Sequence, residues 1–475
     1  MKGLRGEFNK PKTKIVATIG PASAKKTVLR RILRYVSVAR VNLAHGTKEE
    51  HLKMIELVRD VSSKIERDVS VMVDLPGPKI RLGKLEKPVN LKRGERIVLY
   101  VENEKKKGEK GGEEKDVIRL PVEFQDFPKI VSKGGVIYLC DGMVKLRVED
   151  VREDEVYCYV VCGGTVTSRR GINVPGKVGV RVPTEEDVKL LENVKDVVDA
   201  VGISFVSCAE DVERVRKLTD AFLIAKIERD VAVRNINEIL EAADGIMVAR
   251  GDLGVEMPIE ELAVIQKRLI AKANLASKPV ITATQMLESM IEDVRPTRAE
   301  VTDVANAILD GSDALMLSEE TAIGKYPVEA VETMARIAKF TEKYRDALTE
   351  NKILAEMRRK CKDCVDAIAL AIVEVMNCLD VDYIVARTRS GRTARSISRF
   401  KPSQWILAFT TSRKVCRELN FSYGVIPFDV KDRSDTAIAD YLKERNVRGR
   451  VVITEEVRLD ENVSVGTNAI KVFVV

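Results

Sequence analysis

The chain is 475 residues long, 45% hydrophobic, 32% charged and 5% aromatic, with a formal net charge of +7. That length is too great for one core and asks for two or three domains, while no run of ~18 apolar residues is present to span a membrane. Lysines and arginines are interspersed with acids and short of aromatic company, so no nucleic-acid partner is expected, only a mild attraction for anionic substrates.

Residues 1–14 are basic but lack an apolar stretch, so no secretory signal is expected and the chain is placed in the cytoplasm. Abundant Lys and Glu fit a thermophile's composition. The two histidines, His45 and His51, leave little for a His-based metal site or triad. Among eight cysteines one C-x-x-C occurs, Cys361 and Cys364, with no second pair. Two ordinary cysteines are a better reading there than zinc.

In chain order, short β-branched apolar runs fall at residues 14–19, 38–43, 69–75, 200–205, 221–227, 245–249, 279–284 and 314–318. Amphipathic stretches separate most of them, as at 212–220, 259–276 and 302–310. Strand and helix in alternation imply parallel βαβ units, and eight such units imply a closed (β/α)8 TIM barrel. One connection is far too long. Between strands three and four lie β-patterned runs at 96–101, 117–122, 135–139, 145–151 and 156–162, which read as an inserted all-β domain. Residues 102–116, rich in Gly, Glu and Lys, read as a solvated, mobile loop. Helical sequence resumes at Thr184, a good N-cap before Glu185, Glu186 and Asp187. A long helix is expected over 327–348. Beyond it, strand signals near 383–386, 405–409, 425–427, 450–454 and 471–475 give a C-terminal α/β unit. The expected division is a catalytic barrel of 1–76 and 178–340, an inserted β lid of 77–177 and a C-terminal α/β regulatory domain of 341–475.

A barrel of this kind carries its site at the C-terminal ends of its strands. There the sequence offers Thr18 to Pro21, Arg40 and Asn42 followed by His45, Asp74, Lys226 and Glu228, Arg250-Gly251-Asp252, Thr284, and Ser318 with Glu320 beyond. Residues two apart on a strand share a face, which pairs Lys226 with Glu228 and Arg40 with Asn42. A single charged residue in an apolar strand reads as a rim ion pair, since burial unpaired is costly. Five strands ending in charges of both signs point instead to shared work. Glu228 and Asp252 are hard oxygen donors, suited to Mg²⁺ or Mn²⁺ rather than zinc. Arg40, Arg81 and Lys226 are cations for phosphate oxygens. Phosphoryl transfer needs little else than metal and fixed cations around the moving group. Neither GxxxxGK[ST] nor GxGxxG is present, so a P-loop and a Rossmann turn are both excluded as the phosphate grip.

Six segments carry a family resemblance: residues 14–23 (KIVATIGPAS), 40–46 (RVNLAHG), 74–81 (DLPGPKIR), 247–256 (MVARGDLGVE), 281–290 (ITATQMLESM) and 296–322 (PTRAEVTDVANAILDGSDALMLSEETA). They resemble the signature segments of the pyruvate kinase family, in the family's order. The resemblance implies transfer of the phosphoryl group of phosphoenolpyruvate to ADP, giving pyruvate and ATP. It implies that Glu228 and Asp252 hold the divalent metal, Mg²⁺ or Mn²⁺, that Lys226 neutralises charge on the phosphoryl group and enolate, and that Arg40 contacts the phosphoryl group. The backbone of Ala249, Arg250, Gly251 and Asp252 would receive the substrate carboxylate, and Thr284 would lie on the proton-delivery side. Thr18, Pro21, Asn42, His45, Arg81, Asp141 and Arg170 fall where the family meets nucleotide or its metal. Thr388, Arg389, Ser390, Gly391, Arg392 and Thr393 match the family's loop for a phosphorylated effector. A homotetramer is the family's common form.

The departures concern the family's K⁺ site, near Asn42, Asp74 and Leu75. Ala44 replaces a serine, Leu75-Pro76 a Thr-Lys pair and Lys79 a frequent glutamate, while Glu319 stands where glycine is common. An ammonium group at Lys79 can supply the charge of K⁺, so activity without K⁺ is expected. Another barrel enzyme acting on phosphoenolpyruvate or pyruvate is the alternative, and an inserted lid with no nucleotide to cover argues against it.

Overall fold

A computed structural model describes residues 4–101, 117–140, 142–175, 181–348, 352–359, 361–455 and 467–475. The expected loop at 102–116 therefore lies outside the described residues. Eight parallel strands close into a barrel: Lys14–Thr18, Val38–Asn42, Ser70–Asp74, Ala200–Ile203, Phe222–Ile227, Gly245–Ala249, Val280–Ala283 and Ala314–Leu317. In chain order they are the first to eighth barrel strands. They read as mostly apolar runs because both faces are covered, with charged or polar residues such as Arg40, Asp74 and Lys226 falling toward their C-terminal ends. Side chains such as Val16, Val38, Met72, Ile224, Met247 and Ile281 fill the interior. Leu29, Val58, Ile239 and Leu269 belong to the larger core.

Local signals set the surrounding helices. Thr47, Thr184 and Thr297 each accept from the backbone three residues on, and Glu50, Asp187 and Glu300 return the bond to the cap residue. Each is a capping box that satisfies two otherwise orphaned N–H groups. Several helices depart from the sequence reading: the one expected from 302 begins at Arg298, after the Thr297 cap, and the one expected from 259 opens with a separate 3-10 turn, Ile259–Glu261. The helix expected from 212 begins at Ala209, because Asp211 reaches back to the amides of Ser207 and Cys208 and makes a first turn with no apolar periodicity. The helix expected over 327–348 is two pieces, Pro327–Glu342 and Arg345–Leu348.

The inserted domain has its own core, around Leu82, Leu99, Leu120, Phe127, Ile137, Leu146 and Val156. Its main sheet runs, in spatial order, Ile172–Asn173, Val136–Leu139, Val144–Arg152, Glu155–Cys162, Arg96–Val101 and Ile118–Val122. A ribbon of Val89–Leu91 and Gly164–Val166 lies beside it. The C-terminal sheet is ordered Val425–Asp429, Trp405–Thr410, Tyr383–Arg387, Arg450–Glu455, Ala469–Val474, with the last strand antiparallel. This domain docks on the N-terminal end of the barrel. Phe421 stacks on Phe222 with ring centroids 5.4 Å apart and joins the barrel's interior cluster. Around it Lys14 Nζ donates to Val425 O at 2.5 Å, Tyr423 N to Asp313 Oδ1 at 3.0 Å, and Lys401 Nζ lies 2.7 Å from the same oxygen. The base is thus plugged, and the opposite mouth is left for chemistry. No helix among the described residues is long and apolar enough to cross a membrane.

Candidate active site

Register carries the candidate residues to one end of the barrel. Thr18 pairs with Arg40, Asn42 with Asp74 and Asp74 with Gly202, so the ends of the first four strands meet. Asp74 is almost wholly buried and organises the group. Its Oδ2 accepts from Arg40 Nε at 2.9 Å, is bound by Arg40 Nη2 as well, and lies 3.2 Å from Lys226 Nζ. Burial works to raise the Asp74 carboxyl, but the charges of Lys226 and Arg40 together outweigh it and hold it below its ordinary value. Gly202 leaves room for it, since a Cβ there would stand 2.7 Å from Asp74 Oδ1. That oxygen is buried with no hydrogen-bond partner among the described residues.

Lys226 and Glu228 share a face of the fifth strand and its continuation, as their spacing required. Lys226 Nζ lies 2.9 Å from Glu228 Oε1 and donates to Ser204 Oγ at 2.7 Å. Burial favours the neutral amine, yet the anions Asp74 and Glu228 overcome it and keep the Lys226 pKa above its ordinary value. The ammonium therefore keeps its charge across the physiological range. Glu228 Oε2 accepts from the Phe205 amide at 2.7 Å. Burial, opposed by Lys226 and reinforced by the charge of Asp252, raises the Glu228 carboxyl.

The sixth strand runs into a short helix, Arg250–Glu256, that brings Asp252 to the mouth. Lys79 Nζ is 3.3 Å from Asp252 Oδ1. The Arg250 side chain turns away from the mouth into the barrel wall, donating to Thr284 O at 2.6 Å, Gln285 O at 3.1 Å and Asp303 Oδ2 at 2.6 Å. The Gly251 amide donates to Thr284 Oγ1 at 2.8 Å, and that hydroxyl donates to Ala283 O at 2.6 Å. Thr284 and Gln285 hold φ of 67° and 54°. A β-branched residue in the left-handed region is strained, and such strain gathers at functional sites.

The candidate nucleotide residues are more scattered. Thr18 Oγ1 accepts from Arg40 Nη1 at 2.9 Å and joins the central network, whereas Asn42 Oδ1 accepts from the Ala44 amide at 3.2 Å. Pro21 and His45 are exposed beside it. Arg81 Nη1 donates to Arg169 O at 3.2 Å and Arg170 Nε to Thr167 Oγ1 at 3.3 Å, both in the inserted domain. A cleft between that domain and the barrel is lined by Lys79, Ile130, Ile172, Phe205, Arg229 and Glu256. Asp141 lies outside the described residues.

The donor set fits a divalent hard cation. Two like charges, Glu228 and Asp252, lie close enough for one to raise the other's pKa. No group of three or more potential protein ligands occurs among the described residues. Two carboxylates, with substrate oxygens and water to complete the shell, is a common Mg²⁺ arrangement. Ser204 and the Phe205 amide escaped the sequence reading because neither carries a charge or a motif.

Cations and carboxylates interleaved at one mouth of a (β/α)8 barrel, under an inserted β domain, are the equipment of a phosphotransferase. Residues 10–331 match the family model described as "Pyruvate kinase, barrel domain", and residues 366–473 that described as "Pyruvate kinase, alpha/beta domain". The chain is 50% identical to a pyruvate kinase of Thermococcus litoralis over 98% of its own length and 99% of the relative's. It is 41% identical to one of Geobacillus stearothermophilus, over 98% and 81% of the two chains, and 37% identical to one of Clostridium acetobutylicum, over 98% and 99%. The chain belongs to the pyruvate kinase family.

Proposed function

We propose that this glycolytic enzyme moves the phosphoryl group of phosphoenolpyruvate to ADP with Lys226 as the central cation. The observation that carries the reading is the buried Lys226 ammonium, fixed by Asp74 at 3.2 Å and Glu228 at 2.9 Å. A charge already in place when negative charge develops needs no reorganisation. The P–O bond to the enol oxygen breaks, a P–O bond to the terminal oxygen of ADP forms, and the enolate left behind takes a proton at its methylene carbon. Arg40, oriented by Asp74 and Thr18, meets the phosphoryl oxygens. Lys226 neutralises the enolate oxygen as it is released. Glu228 and Asp252 would hold Mg²⁺ or Mn²⁺, which would supply Lewis-acid polarisation when bound. Thr284, set beside the carboxylate-binding backbone of residues 249–252, lies on the side from which the proton arrives. Nucleotide lies toward Thr18, Pro21, Asn42, His45, Arg81 and Arg170. The direct test is ATP formation from phosphoenolpyruvate, ADP and Mg²⁺: the Lys226→Met variant loses turnover far more than substrate binding. Unimpaired turnover would remove Lys226 from this role.

In this reading K⁺ is not required, because Lys79 brings a positive charge to the metal ligand Asp252. One observation favours the opposite reading. Asp74 Oδ1 is a buried carboxylate oxygen without a hydrogen-bond partner among the described residues, a suitable ligand for K⁺ beside Asn42. The loop Thr388, Arg389, Ser390, Gly391, Arg392 and Thr393 takes a phosphorylated effector; it runs into the helix Arg392–Ser398, whose first two residues it supplies, and Asp363 already orients Arg392. The enzyme assembles as a homotetramer in the cytoplasm. Ile259 and Val264 are well exposed apolar side chains on the barrel, available to such an interface.

A further inference from the structure

We infer that Ser204 is a positioning residue for phosphoryl transfer, tying the catalytic lysine to residues 75–77, which lead into the inserted domain. The inference rests on the proposed role of Lys226.

Donor and acceptor roles at Ser204 leave no ambiguity. Its Oγ lies 2.7 Å from Leu75 O and 2.7 Å from Lys226 Nζ. A carbonyl only accepts, so the serine proton points at Leu75. An ammonium only donates, so the serine lone pair receives Lys226. The hydroxyl is thereby locked in one orientation by two partners from different strands. The lysine's three N–H groups then have three directions: Glu228 Oε1 at 2.9 Å, Asp74 Oδ2 at 3.2 Å and Ser204 Oγ. Two of these acceptors are anions. Ser204 is the neutral one, and it fixes the third direction without adding negative charge where a phosphoryl group must approach.

The turn that carries it is built for the purpose. Phe205, the next residue, has φ of 56°, and this conformation goes with an amide that meets Glu228 Oε2 at 2.7 Å. One strained dipeptide after the fourth strand therefore holds both Lys226 and the metal-ligand candidate Glu228. Its other side faces the entrance to the inserted domain. Leu75 is the residue just after the third strand, and Gly77 follows with φ of 65°. A Cβ at Gly77 would stand 2.9 Å from Ser204 Cβ, so the chain can pass this close to the serine only as glycine. Outer-shell partners of metal ligands matter at the level of ~10–100-fold in activity, and an effect of the same order is expected for the group that fixes Lys226.

The test is steady-state kinetics of Ser204→Ala beside the parent and Lys226→Met. The expected result is a kcat lower by ~10–100-fold, a KM for phosphoenolpyruvate within about threefold of the parent, and recovery of most turnover in Ser204→Thr, which restores the hydroxyl. Should Ser204→Ala fold poorly, Ser204→Cys, of nearly the same shape but a weak acceptor, is held to the same criterion. A kcat within about twofold of the parent, or a loss carried by KM rather than kcat, overturns the role of Ser204. The companion variant separates the two readings. An inactive Lys226→Met with a normal Ser204→Ala rejects only the serine; a normal Lys226→Met rejects the lysine's role and the serine's with it.

Discussion

Lys79 Nζ stands 3.3 Å from Asp252 Oδ1, across 173 residues of sequence. The pair joins the start of the inserted domain to the mouth of the sixth strand. It places a fixed positive charge next to a candidate metal ligand, with both side chains about a quarter exposed. A unit charge at ~4 Å is worth about 4 kcal/mol at an effective dielectric near 20, or roughly three decades in rate if realised wholly in the transition state. Full activity is therefore expected in buffer free of Na⁺ and K⁺, with an organic counter-ion. Lys79→Glu is expected to lose activity there and to regain part of it on adding K⁺. Strong stimulation of the parent by K⁺ would favour Asp74 Oδ1, which has no hydrogen-bond partner among the described residues, as a K⁺ ligand instead.

The metal assignment predicts a different signature. Glu228→Gln keeps the shape and the acceptor for the Phe205 amide but removes a charge that both Lys226 and a divalent ion use. Turnover should fall by two decades or more, on the order of the loss of one major electrostatic group, with the Mg²⁺ concentration for half-activity rising. Asp252→Asn should shift the Mg²⁺ curve in the same direction and also release Lys79. The check is a Mg²⁺ titration of initial rates. Two variants with the parent's curve would clear both residues of metal binding.

At the barrel base, Lys14 gives a prediction about stability. Its ammonium is buried and donates to Val425 O at 2.5 Å, while Glu7, Glu342, Lys10 and Arg67 act on it from nearby. Burial first, opposed by Glu7 and reinforced by Arg67 and Lys10, lowers its pKa to about 7. The unfolded chain holds that proton up to the ordinary lysine value of ~10.4. Between these limits the unfolded state binds more protons, so the contribution of Lys14 to stability rises with pH from about 7 upward. Below about 7 the folded protein carries the charge and bears the full penalty. Lys14→Met should therefore raise Tm at pH 7, and its advantage should shrink by pH 10. Melting curves at the two pH values decide it; a variant less stable at both would mean that the bond to Val425 outweighs the burial.

Much of this fold is legible in the sequence for one physical reason. Strands covered on both faces read as apolar runs, and eight of them alternating with helices leave few architectures. The capping threonine at 184 is equally plain. Site residues that are charged, such as Asp74, Lys226 and Glu228, stand out against that background. Ser204 does not, because a neutral hydroxyl after a strand looks like any loop serine. The arginine at 250 misleads in the other direction. Its place beside Gly251 and Asp252 marks the mouth, yet its guanidinium turns into the wall to hold the carbonyls of Thr284 and Gln285. The left-handed backbone at Phe205, Thr284 and Gln285 has no sequence signal, since none of the three is glycine or asparagine.

The last expectation concerns motion. The inserted domain leaves the barrel through Pro76-Gly77-Pro78 and returns near Pro175; Gly176 and Lys177 lie outside the described residues. On the outgoing side Gly77 N donates to Asp187 Oδ1 at 2.9 Å, and Asp187 also caps the helix Glu185–Glu192, so one end of the hinge is anchored. The arginines expected at nucleotide, Arg81 and Arg170, bond within or beside the inserted domain rather than to the barrel. Closure would carry them toward Lys226, and lids of this kind complete a site while excluding water. A smaller radius of gyration and a shorter lid-to-barrel distance are expected on adding Mg-nucleotide with a substrate analogue. Gly77→Ala tests the same hinge. At φ of 65°, with its new Cβ 2.9 Å from Ser204 Cβ, it should lower kcat and blunt the compaction together. Scattering curves and spin-label distances that stay the same with and without ligands would leave the domain a rigid appendage, and its arginines would need another account.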